Sequence, residues 1–179
     1  MTTNISHQFL KEYHLPTWDE LPNIDVYMDQ LITIVEDAVG PLYHFQTTKK
    51  LTPSMVNNYV KLQLIPRPVK KKYQKQHIAR LIVITILKQV FDIASIQESI
   101  DIETKETNSQ IAYDKFCQYF QETLDIFLNS STQKVEATLY QDMAPIHLAC
   151  ITVISKIFTE ISLAHLIAHL THNQIEKDD

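Results

Sequence analysis

Leu51-Thr52-Pro53-Ser54-Met55-Val56-Asn57-Asn58-Tyr59-Val60-Lys61-Leu62-Gln63-Leu64-Ile65-Pro66 opens on a helix-start signal and closes on a helix-stop signal. Thr52 is a favourable N-cap, and Pro53 sits at the first helical position, where its missing N–H costs nothing. Met55, Val56, Tyr59 and Leu62 fall on one side of the helix. Ser54, Asn57, Asn58 and Lys61 recur on the other at i, i+3, i+4 and i+7 and include no acid. The helix should end near Gln63, because Pro66 and Pro68 forbid its continuation. Lys70 to Tyr73 then suits a short hairpin, a candidate wing. Ile78, Leu81, Ile82, Thr85, Ile86 and Gln89 mark the next helix, and Leu81 to Leu87 is almost wholly apolar, so this helix is expected to be buried on most sides.

Outward from that stretch the same periodicity predicts further helices. Ile24, Met28, Leu31, Ile32, Val35 and Val39 define one from about Ile24 to Val39, capped by Asn23 and stopped by Gly40-Pro41. Leu42 to Lys50 is read as a short helix. The first 22 residues read as a polar arm that docks through Trp18, between Pro16 and Pro22. After Asp92, Ile93, Ile96 and Ile100 give a short helix, and residues 101–109 read as a charged, Thr-rich linker. A helix over 111–128 follows, then a break at Asn129-Ser-Ser-Thr132, then helix over 135–170 with Pro145 restarting or kinking it. The stretch 146–170 is too apolar to stand alone and needs a partner, from this chain or from a second copy. One glycine in 179 residues argues against strand-and-turn architectures. The expected fold is therefore mainly α, with a helix-turn-helix, additional N- and C-terminal helices and at most a short β-hairpin wing. Its expected parts are an arm over 1–22, a unit over 23–104 made of a helix plus the winged helix-turn-helix, and a C-terminal helical unit over 105–179.

The net charge of −5 conceals a segregation. From Ala38 to Phe91 the chain carries Lys49, Lys50, Lys61, Arg67, Lys70, Lys71, Lys72, Lys75, Arg80 and Lys88, with no Asp or Glu, so all 21 acids lie elsewhere. Ordinary surfaces intersperse the two signs. A basic block beside an acidic remainder fits a face for a polyanion whose docking the remainder restricts. Cys117 and Cys150 have apolar neighbours and no CxxC spacing, so neither disulfide nor zinc is implied. No cationic flank leads into an apolar run at the N-terminus, and no uncharged stretch of spanning length stands out; a cytoplasmic protein without a membrane partner is expected.

The stretch from Leu51 to Pro66 resembles the recognition-helix segment of the MerR family of bacterial regulators, most of all in Tyr59 followed by Leu64-Ile65-Pro66. Lys72-Tyr73, His77-Ile78, Leu81 and Ile84 fall where that family places its wing tyrosine and next helix. Gln63 stands where MerR proteins carry glycine, Asn57-Asn58 where they usually carry Arg-Tyr, and Asp92 replaces a second frequent glycine. TPSMVNNYVK with KKKYQKQHIARL also resembles a family from Gram-positive bacteria called domain of unknown function 1836, and that likeness spans most of the chain. The MerR likeness, over about Leu42 to Ile100, implies a winged helix-turn-helix and a transcriptional regulator.

On this reading the DNA-binding residues are Lys49, Lys50, Thr52, Ser54, Asn57, Asn58, Lys61, Arg67, Lys70, Lys71, Lys72, Tyr73, Lys75 and Arg80. Asparagine pairs with adenine N6 and N7 through two hydrogen bonds, which suits Asn57 and Asn58 to the major groove. Ser54 and the helix start behind Thr52 suit a phosphate. The wing lysines suit phosphates or a minor-groove edge, with Tyr73 packing the hairpin onto the core. Double-stranded DNA is the expected partner, with a homodimer facing two half-sites and a small-molecule effector as further expectations. The competing reading is a protein-interaction or adaptor module using the same basic face. No cofactor is expected, and no enzyme: GxSxG, P-loop, HExxH and dinucleotide motifs are missing, and one glycine builds no phosphate cradle. His165, His169 and His172 have metal-compatible spacing, but their neighbours are apolar and no acid completes the set, so no metal is expected.

Overall fold

Val26 pairs with Tyr73 across an isolated antiparallel bridge, and this fixes where the first long helix begins. The computed structural model describes residues 9–43, 50–129 and 144–178. Helix α1 runs Met28–Val39, followed by a 3₁₀ turn Gly40–Tyr43. Helices α2 (Pro53–Lys61), α3 (Lys75–Leu87), α4 (Ile93–Glu106), α5 (Ser109–Asn129) and α6 (Pro145–Asp178) complete the order. The fold is mainly helical; among the described residues the only β pairings are Val26–Tyr73 and Val69–Lys72.

Helix α3 is the central element. From His77 to Leu87 every residue but Arg80 is buried. Leu31, Val35 and Val39 of α1 pack on one side of it, and α5 and α6 lie on another. The α5–α6 pairing is the most extensive between helices and buries Phe116 and Phe120 with Cys150, Val153, Ile154 and Ile157. Removing a side chain of that size from water contributes roughly 2–3 kcal/mol.

Several boundaries differ from those the sequence predicts. Helix α1 starts at Met28, not Ile24, because Val26 is extended in its bridge and Ile24 is left two-thirds exposed. Tyr27, rather than Asn23, is the N-cap, with its N–H donating to the Gln30 side chain at 2.9 Å. Of the short helix expected over Leu42 to Lys50, only the 3₁₀ turn ending at Tyr43 is seen, and residues 44–49 lie outside the described residues. The expected linker over 101–109 is helical to Glu106, since Asp92 caps α4 through the Ser95 N–H at 2.9 Å and Ile96 is buried; the break narrows to Thr107 and Asn108. Pro145 starts α6, and the expected helix over 135–143 lies outside the described residues.

The N-terminal arm is less polar than its composition suggests. Leu10, Tyr13, Leu15 and Leu21 are buried in the shared core. The Tyr13 hydroxyl donates to the Ala38 carbonyl at 2.8 Å, and the Tyr113 hydroxyl donates to that of Pro16 at 2.7 Å. Trp18 docks as expected, with its backbone N–H donating to the Asp114 carboxylate at 2.8 Å and its ring edge-on to Tyr113.

Residues 145–168 of α6 are long and apolar enough, by length and composition, to cross a membrane, although the sequence reading expects no spanning segment. Of its apolar window 22% is buried, on the face bearing Cys150, Val153, Ile154 and Ile157, and Lys156 and Glu160 pair one turn apart. Beyond Ile161 its face changes, and Leu163, Leu166 and Ile167 are each more than half exposed.

Candidate nucleic-acid interface

The Thr52 hydroxyl accepts the Met55 N–H at 3.3 Å, which makes Thr52 the N-cap of α2. The Val56 N–H goes to the Thr52 carbonyl, and Pro53 has no N–H. Ser54 therefore carries the one first-turn donor left uncommitted among the described residues, a thinner anion site than the sequence suggests. The Glu36 carboxylate accepts the Leu51 N–H at 2.6 Å and brings a negative charge to the same helix end.

Helix α2 ends through a left-handed residue. Gln63 has φ of 61°, and the chain reverses so that the Leu64 N–H reaches the Tyr59 carbonyl at 2.9 Å. Leu64 and Ile65 are thereby carried into the core, each 1% exposed. The position where MerR proteins carry glycine thus adopts the conformation that glycine favours, with glutamine in place. Val56 and Tyr59 face inward, and burial raises the Tyr59 hydroxyl above its ordinary pKa. Ser54, Asn57, Asn58 and Lys61 are all exposed, as the periodicity requires.

The expected wing is a two-residue turn. Val69 and Lys72 exchange backbone hydrogen bonds at 3.2 and 2.9 Å, and between them Lys70 and Lys71 take φ of 50° and 62°. Two successive positive φ values define the hairpin turn that Asn-Gly ordinarily fills. Here two lysines fill it, and both are exposed. Tyr73 is buried and meets His77 edge-on, with ring centres 5.5 Å apart.

The remaining residues of the proposed face divide. Lys50 and Arg67 are exposed. Lys72 is half-buried with its ammonium 5.7 Å from the centre of the Tyr27 ring, and Lys75 sits at the same distance over Trp18. Arg80 is drawn inward, donating from Nη1 to the Leu64 carbonyl at 3.3 Å; burial lowers its pKa, opposed by Asp101. Its position makes it a strut between α3 and the end of α2. Lys49 lies outside the described residues. Tyr27, exposed beneath Lys72, is an aromatic neighbour of the turn that local sequence reading misses, because only the long-range Val26–Tyr73 pairing brings it there.

His165 is half-buried, and the side chains of His169 and His172 lie outside the described residues. Among the described residues no three His, Cys, Asp or Glu side chains form a metal-binding group. Cys117 and Cys150 are free and buried, and burial pushes each thiol up to about 12, so neither is a ready thiolate near neutral pH.

Fold and site together define a mainly helical protein that presents an acid-free helix face and a lysine turn on neighbouring stretches of chain. The chain belongs to the family described as domain of unknown function (DUF1836), whose model matches residues 16–120. The two ends of that match meet in space, since the Pro16 carbonyl accepts from Tyr113 and Trp18 bonds Asp114. No curated protein and no solved structure matches the chain.

Proposed function

We propose that this protein is a DNA-binding transcriptional regulator of the MerR-like, winged helix-turn-helix type, with α2 as recognition helix and the Val69–Lys72 turn as wing. The observation that carries the reading is the pair Lys70-Lys71 at positive φ. A left-handed conformation strains a non-glycine residue by roughly 1–2 kcal/mol, and such strain concentrates where function needs the side chain. Two exposed cations at the tip of a hairpin, a few residues along the chain from a helix face of Ser54, Asn57, Asn58 and Lys61, suit phosphates and base edges respectively. Lys50, Arg67, Lys72 and Lys75 extend the same positive field. The exposed Leu163 and Leu166 on α6 support a homodimer that would present two readers to two half-sites.

Selection of genomic oligonucleotides by the purified chain, followed by a salt titration, tests the reading. Enrichment of a defined sequence is expected, with a log–log salt slope of about −4 per protomer if roughly four phosphates are neutralised. A flat salt response, or no enrichment by a folded protein, rejects it. The second reading, an adaptor that binds an acidic protein, is favoured by Leu62 and Val69, which are 42% and 64% exposed within the basic stretch. It gains if selection yields nothing.

A further inference from the structure

The segregated charge has a counterpart at the acidic pole. Between the N-terminal arm and α1 runs an open groove of about 610 Å³, with Pro22, Ile34 and Pro41 in its walls. The Tyr13 hydroxyl, donating to the Ala38 carbonyl at 2.8 Å, ties its two banks together. Glu12 and Glu20 line it from the arm and Asp37 from α1, and among the described residues no lysine or arginine does. Thr17 donates its N–H and its hydroxyl to one Glu20 oxygen at 2.7 and 2.8 Å, and His14 stands 3.9 Å from the other. Glu12 and Asp37 are exposed. An apolar wall that carries three acids and no fixed cation favours an occupant both apolar and basic.

The lysine turn has that chemistry. Val69 is 64% exposed, and Lys70 and Lys71 beside it are exposed as well. Turn and groove stand at opposite ends of α1: the base of the turn is bonded to Val26, before the helix begins, whereas Asp37, Ala38 and Pro41 lie at or beyond its last turn. One chain thus offers the two complementary surfaces apart, the arrangement that joins copies head to tail. We propose that the groove takes the Val69–Lys71 tip of a second copy of this chain, with Lys70 and Lys71 meeting the three carboxylates and Val69 the apolar wall. Such a contact joins two different surfaces, so it adds copies one after another, unlike a two-fold homodimer through α6. It also covers the lysines assigned to phosphates, so assembly and DNA binding exclude each other; that consequence alone rests on the DNA-binding reading.

Sedimentation of the full chain without DNA, over a concentration series at low and high salt, tests the contact. Mean mass is expected to grow with concentration at low salt and to fall back at high salt, where exposed charges are screened. Glu12→Lys/Asp37→Lys and Lys70→Glu/Lys71→Glu change only exposed side chains, and each is expected to weaken the association at least about tenfold. The milder Glu12→Gln/Asp37→Asn should act in the same direction. Mixed in equal amounts, the two charge-reversed variants should associate again, because the intact turn of the first meets the intact groove of the second. Growth that persists in the folded variants, no recovery on mixing, or one salt-insensitive dimer common to all the proteins overturns the proposal. A chain that assembles in this way but binds no DNA defeats the regulator reading and leaves the contact standing; one that binds DNA but does not assemble does the reverse.

Discussion

Val26 and Tyr73 exchange both backbone hydrogen bonds, at 2.9 and 2.8 Å, and each lies just before the N-cap of a helix, Tyr27 for α1 and Gln74 for α3. The bridge holds the entries to two helices side by side and fixes the base of the lysine turn. Tyr73 adds a buried ring against His77. Tyr73→Ala is therefore expected to destabilise the chain by about 3–5 kcal/mol in urea unfolding, through lost burial and the cavity left behind. Tyr73→Phe, which keeps the ring, should change stability little and leave nucleic-acid affinity intact, because the residue packs the turn instead of contacting a ligand. Lost affinity in a stable Tyr73→Phe protein would contradict that role.

Gln63 ends α2 at φ of 61° and is exposed. Glycine takes this backbone without steric strain, so Gln63→Gly should raise stability by about 1 kcal/mol, net of its greater unfolded-state freedom. Gln63→Val, β-branched at a positive φ, should lower it. Thermal or urea unfolding of the two variants checks the pair, and equal stabilities would mean that Gln63 is unstrained.

Much of this was legible from spacing alone. Thr52 and Pro53 announce α2, its polar face follows from i, i+3, i+4 periodicity, and the apolar run in α3 foretells near-complete burial. What spacing could not reveal depends on distant partners. Val26 is extended because of Tyr73, Arg80 turns inward because the Leu64 carbonyl awaits it, and Glu36 reaches the start of α2 from another helix. The charged run after Asp101 read as a linker because helix propensity is a weak prior; burial of Ile96 and the Asp92 cap extend α4 through it. Leu10, Tyr13, Leu15 and Leu21 lack a clean period, so the arm's share of the core was hidden until its contacts with α1 and α5 were seen.

His77 is 1% exposed, and its Nδ1 accepts the Gln74 N–H at 2.9 Å. Burial lowers its pKa below the ordinary imidazole value, outweighing the Gln74, Arg67 and Pro66 backbone groups that favour the protonated ring, and the Arg80 charge adds a smaller push in the lowering direction. The folded state thus disfavours the protonated ring. The corresponding stability is present above the unfolded-state pKa near 6.5 and is lost as pH falls below it toward the lowered folded value. Unfolding measured between pH 7 and pH 5 should show that loss. In His77→Gln, where glutamine can reach back to the Gln74 N–H without titrating, the loss should be smaller. An identical pH dependence in the two proteins would assign the effect to other groups.

The lysine turn separates stability from binding in one variant. Lys70 and Lys71 occupy the two positive-φ positions that Asn-Gly fills with least strain. The double change Lys70→Asn/Lys71→Gly should therefore raise stability, by about 1–2 kcal/mol if half the strain of two left-handed lysines is relieved. If those lysines hold phosphates, the same change should weaken specific and non-specific DNA binding alike and reduce the log–log salt slope by about 2. Asn58→Ala should act in the other direction on selectivity, weakening specific binding more than non-specific binding because asparagine reads a base edge. A protein made more stable by Asn-Gly, with unchanged affinity and salt slope, would show that the strain at the turn has nothing to do with a polyanion, and the regulator reading would lose its main support.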